Sequence, residues 1–75
     1  MSKLGRLSGE EVIRLLLQMG FSRVRQRGSH VILKKQTPEG VVGCVVPLHR
    51  ELAVGTLRGI LRQAKVNPED FLKVL

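Results

Sequence analysis

A single histidine, His30, lies in the stretch from Arg23 to Lys35, which carries Arg23, Arg25, Arg27, Lys34 and Lys35 and no acid. Histidine exchanges protons near neutral pH, and guanidinium and ammonium groups hold anionic oxygens, so these residue types together suit chemistry on a polyanion. The stretch reads as a β-hairpin. Gly28-Ser29 between two alternating runs predicts a type II′ turn, because Gly takes the required positive φ without strain. With a two-residue loop, Arg27 is expected opposite His30, Arg25 opposite Ile32 and Arg23 opposite Lys34, all on one face. Val24, Val31 and Leu33 are then expected on the other face. The register separates an apolar side from a cationic side, and function is sought on the cationic side.

The elements that must hold this hairpin follow from the rest of the chain. Leu7-Ser8-Gly9-Glu10-Glu11-Val12 contains a complete helix start, with Ser8 as cap, Glu11 closing a capping box and Leu7 stapling against Val12. Val12, Ile13, Leu16, Leu17 and Met19 are expected to form its apolar stripe, and Gly20-Phe21 a Schellman close. Thr37-Pro38-Glu39-Gly40 marks a second turn, followed by a strand over residues 41–46 with Val42, Cys44 and Val46 inward, stopped by Pro47. Cys44 reads as a small core residue. Residues 48–51 read as a loop. A second long helix is expected over residues 53–65 with Val54, Leu57, Ile60, Leu61 and Ala64 buried, and Arg58, Arg62 and Lys65 on a solvated face. Asn67-Pro68 caps a short last helix with Phe71, Leu72 and Leu75 available to pack. The fold class is therefore α+β, in the order α-β-β-β-α(-α). It has a three-stranded antiparallel sheet, both long helices on one face, and the other face open.

Seventy-five residues allow one small domain, spanning 1–75. Thirteen Lys and Arg against six Asp and Glu give a net charge of +7, which favours polyanionic partners over a merely soluble surface. Glu10, Glu11, Glu69 and Asp70 fall in expected first helical turns, which leaves the hairpin charge unneutralised. With only Phe21 and Phe71 aromatic, a platform of stacked bases is not expected. The lone cysteine forms no internal disulfide, and no His/Cys cluster has zinc spacing. No apolar run is long enough for a membrane span, and residues 1–6 lead into a charged helix rather than a signal-peptide core; a cytoplasmic protein without membrane contact is expected.

Gly20-Phe21, Val24-Arg25-Gln26-Arg27-Gly28-Ser29-His30, Val46-Pro47-Leu48-His49 and Gly55-Thr56-Leu57-Arg58-Gly59-Ile60-Leu61-Arg62-Gln63-Ala64, in this order and spacing, resemble the HicA (YcfA-like) mRNA interferase toxins. The resemblance covers nearly the whole chain. It implies a fold like the double-stranded-RNA-binding domain, endoribonuclease activity on mRNA without metal or cofactor, and a HicB-type antitoxin as protein partner. It also implies that the histidine after Gly-Ser, here His30, is catalytic. Lys65 departs from the family, where Gly often follows Gln-Ala, as does Val31, where a histidine or polar residue often follows the catalytic one. His49 fits the family's Pro-x-His pattern and reads as shaping the loop or meeting the antitoxin.

Cleaving RNA without a metal requires a base for the 2′-OH, a proton for the leaving oxygen and cations for the developing charge. His30 with Arg25 and Arg27 supplies that minimum. The RNA contacts expected from the cationic stretch are Arg23, Arg25, Arg27, Ser29, Lys34 and Lys35. Two other classes compete: a noncatalytic double-stranded-RNA module and an interaction domain that only docks the antitoxin. The first usually presents lysines where its last long helix begins, and Glu51-Leu52-Ala53-Val54 has none.

Overall fold

The computed structural model describes residues 6–75; the lead-in over residues 1–5 lies outside the described residues. The order is α1 (Gly9–Gln18), β1 (Ser22–Arg27), β2 (His30–Thr37), β3 (Gly40–Pro47), α2 (Val54–Ala64) and α3 (Pro68–Lys73). The strands form one antiparallel sheet in the order β1-β2-β3, the expected α+β architecture.

Helix α1 starts as its sequence predicts. The Ser8 hydroxyl accepts from the Glu11 N–H at 3.1 Å, and the Glu11 carboxylate accepts from the Ser8 N–H at 2.8 Å. The Ser8 backbone bond, then its side-chain bond, holds the Glu11 carboxyl below its usual range, with Arg14 adding to this against a small cost of burial. At the other end Gly20, at φ +100°, donates to Leu17, and Phe21 donates to Leu16, completing a Schellman motif. The buried stripe is Val12, Ile13, Leu15 and Leu16, while Leu17 faces water, contrary to expectation. At 100° per residue, Leu15 lies 60° from Val12 on the side of Met19, whereas Leu17 lies 140° away, beyond the reach of the sheet.

Both long helices pack on the sheet face that carries Val31, Leu33, Cys44 and Val46, and Phe21, Leu52 and Phe71 complete the core. Burial pushes the Cys44 thiol up to about 11, so it stays protonated as an apolar filler. Val31 is fully buried, which accounts for an apolar residue directly after His30. Gln63 on α2 accepts from the Val45 N–H at 3.3 Å and so ties the helix to the edge strand β3. Leu75, expected to pack, is largely exposed at the chain end.

Helix α2 closes on a residue that sterics disfavour. Lys65 stands at φ +57°, with its own N–H on Arg62 and that of Val66 on Leu61, the position where Gly is usual. A side chain in this left-handed region costs about 1 kcal/mol. Lys65→Gly should therefore raise stability by about that amount and the melting temperature by roughly 4–8 °C, as a thermal melt would show. A variant melting at or below the wild type would mean that the lysine side chain more than offsets its own strain.

Candidate nucleic-acid interface and active site

The hairpin turn has the predicted chemistry. Gly28 takes φ +59° while Ser29 stays at negative φ, the signature of a type II′ turn, and Arg27 pairs directly with His30. Residue pairs opposite each other share a face, so Arg27 with His30, Arg25 with Ile32, and Lys34 lie together on the face turned away from the helices. All of these but Ile32 are exposed, and Ile32 is half-buried beside Val45. The turn is held from both sides. The Ser29 carbonyl accepts from the Leu48 N–H at 2.7 Å, and His30 pairs with Pro47 of β3.

Strand β1 departs from the expected register. A bulge at Val24 shifts the pairing, so that Arg23 lies opposite Leu33, and Ser22 rather than Arg23 opposite Lys34. Arg23 therefore leaves the face shared by Arg25 and Arg27 and donates to the Gln26 side chain at 2.6 Å. Gln26 in turn donates to the Gly28 carbonyl at 2.9 Å, which braces the turn that presents His30. Val24 is 52% exposed rather than buried, because neither helix covers β1 and every residue of that strand is exposed. Nothing packs there to hold a valine inward, so the extra residue is accommodated at the sheet edge, where bulges concentrate.

Of the other expected RNA contacts, Ser29 sits in the turn, while Lys35 lies on the helix side of the sheet, its Nζ 5.7 Å from the Phe21 ring centre. Lys35 pairs with Val42 and is thus opposite in parity to Lys34. Gln26 and Gln63 were not singled out from sequence as supports. For Gln26 a signal existed: a polar residue at a position whose parity assigns it to the apolar face.

His49 is exposed, and its backbone carbonyl accepts from the Gly9 N–H at 2.9 Å, tying the segment after β3 to the start of α1. Among the described residues the one ion pair is Lys73 with Asp70 at 3.7 Å, far in sequence from the hairpin and exposed. Arg25, Arg27 and Lys34 therefore carry charge with no acid bound to it. The acids sit where the sequence predicts, Glu10 and Glu11 in the first turn of α1, and Glu69 and Asp70 in that of α3. No cluster of three or more metal-ligating His, Cys, Asp or Glu side chains occurs among the described residues. No helix among them is long and apolar enough to cross a membrane.

A basic, open sheet face with one histidine at a tight turn is the feature to compare with known proteins. The family model described as HicA toxin of bacterial toxin-antitoxin matches residues 9–66, from the first residue of α1 to the residue after the left-handed close of α2. The chain belongs to the HicA toxin family. Its place in a toxin–antitoxin pair implies an antitoxin as partner. No curated protein matches the chain.

Proposed function

We propose that this protein is the toxin of a type II pair and acts as a metal-independent endoribonuclease, an mRNA interferase, with His30 as its general acid and base. The observation that carries this reading is the direct pairing of exposed His30 with Arg27 across a braced type II′ turn, on the face shared with Arg25 and Lys34. In its neutral form the imidazole takes the proton of the ribose 2′-OH. The 2′ oxygen then attacks the adjacent phosphorus, the bond from phosphorus to the 5′ oxygen breaks, and the leaving oxygen takes its proton from the His30 imidazolium, which returns to the neutral form. Arg25 and Arg27 stabilise the charge that builds on the phosphate oxygens. Lys34 and Ser29 extend the contact along the strand, and Arg23 is left out because the bulge turns it to the other face, where it binds Gln26. Lys35 is left out of this surface because it lies across the sheet.

A noncatalytic double-stranded-RNA module fits less well, since the first turn of α2 bears no lysine. The deciding experiment is incubation of a defined RNA with metal-depleted protein in chelator. Fragments ending in a 2′,3′-cyclic phosphate and a 5′-hydroxyl are expected. Intact RNA under these conditions would remove the enzyme assignment.

Arg25→Ala and Arg27→Ala should each weaken RNA binding and lower the slope of log affinity against log salt by about one. Binding isotherms across a salt series check this. Unchanged slopes in both would move the RNA path to Arg58 and Arg62 on α2.

The HicB-type antitoxin is expected to cover the open face, where unpaired cations attract an acidic surface. Hydrogen exchange on the complex should then slow the amides of the hairpin. Protection confined to the helical side would make inhibition indirect.

A further inference from the structure

At the end of the sheet away from His30, a cleft of about 430 Å³ opens between the turn after β2 and the end of α2. Its floor is apolar: Phe21, Val42, Ala64 and Val66 line it, while Val41, opposite Gln36, borders it from the open face of the sheet. Its rim is cationic, with Lys35 lying over the Phe21 ring and Lys65 on the opposite lip; Glu39 sits at the tip of the turn. One feature of this cleft is unexplained by folding: Lys65 holds a disfavoured left-handed backbone that a glycine would adopt freely while removing the ammonium group.

We propose that this cleft is a second docking site for the antitoxin. It takes an extended segment in which one branched aliphatic side chain, set between carboxylates, fills the floor while its acids meet Lys35 and Lys65. The proposal rests on the reading of this chain as the toxin of a protein–protein pair. Charge complementarity selects the occupant. A second copy of this chain, at net +7, would bring its own cationic surplus to a cationic rim. RNA fits poorly as well, because the one aromatic ring in the cleft is buried and roofed by Lys35, leaving no face on which a base could stack.

The distance gives the site its consequence. β2 runs from His30 to Thr37, roughly 23 Å at the rise of an extended strand, so a segment seated here does not reach the hairpin. An antitoxin that covers the open face and also grips this cleft binds at two points. The second contact then raises its residence on the toxin without adding to the block at His30.

The test is a titration of the full-length, isotope-labelled chain with the capped peptide Glu-Asp-Leu-Asp-Glu, followed by amide chemical shifts at low salt. Shifts centred on Val41, Val42, Lys65 and Val66 are expected, with the amides of residues 25–34 unmoved. Replacing the peptide's leucine by glycine should weaken binding at least fivefold, and Lys65→Glu should abolish it. Lys35→Glu, on β2 rather than at the helix end, provides the same loss should Lys65→Glu disturb the helix end. Four results overturn the proposal: no shifts at millimolar peptide, shifts confined to the hairpin, the same cleft shifts with a short RNA, or concentration-dependent shifts without any ligand, which would mean self-association. RNA cleavage by the same samples separates the two readings. A chain that cleaves RNA and ignores the peptide loses only the cleft, and one that binds the peptide without cleaving loses only the enzyme assignment.

Discussion

His30→Ala should lower RNA cleavage by about 10²- to 10⁴-fold, the range typical for losing a general acid–base group, and abolish toxicity. It should nevertheless melt like the wild type and bind RNA with nearly unchanged affinity. Stability is spared because His30 is exposed at the first residue of β2 and its side chain makes no hydrogen bond with any described residue, so truncation opens no cavity. Binding is spared because affinity for RNA comes mainly from phosphate contacts, which on the proposed reading Arg25, Arg27 and Lys34 still provide. Rate and affinity should therefore separate in one mutant. The measurements are cleavage in chelator, a binding isotherm and a melt on the same preparation. Normal cleavage by a folded His30→Ala protein would take the catalytic role from His30.

The hairpin turn, the capping box, the Schellman close and the inward set Val42, Cys44 and Val46 were all legible, because each is dictated by local chemistry: a glycine at positive φ, a serine reading back to a glutamate, or a strict alternation. The bulge at Val24 was not. Arg23, Arg25 and Arg27 alternate without a fault, and a pattern of period two cannot reveal that no helix lies beneath the strand to enforce it. Leu52 was passed over for a related reason: it sits in an irregular segment, where no periodicity marks a buried residue, yet it is fully buried and its N–H donates to the Leu7 carbonyl. In the candidate site, types and spacing marked His30, Arg25 and Arg27 as neighbours. The sidedness of Arg23 and Lys35 depended on tertiary packing. That difference matters for function, because it divides one run of cations into an open-face group beside His30 and a lysine committed to the cleft behind the sheet.

Gly9→Ala should destabilise the protein by about 2 kcal/mol or more and disturb the proposed active site from behind, although alanine is the better helix former. Gly9 is the first residue of α1 and is buried. A Cβ there would overlap the Pro47 carbonyl oxygen and stand 3.0 Å from the Leu48 Cα, and both obstacles are backbone rather than a side chain that could swing aside. Relief requires moving the end of β3. That end is fixed by the bond from the Gly9 N–H to the His49 carbonyl and by the bond from the Leu48 N–H to the Ser29 carbonyl, while Pro47 pairs with His30. The gain in helix propensity, about 1 kcal/mol at most in a helix interior and less at a first turn, is outweighed by overpacking, which costs about 1–3 kcal/mol and more against rigid backbone. In a domain this small, 2 kcal/mol lowers the melting temperature by roughly 10 °C or more. Any displacement of Pro47 is passed to Ser29 and His30, so cleavage measured well below the new melting temperature should fall too, while Arg25 and Arg27 continue to hold RNA. Amide shifts of Ser29, His30 and Leu48 in the variant provide the direct check. If the variant melts as the wild type and these amides do not move, the junction between α1 and β3 yields freely and does not set the position of His30.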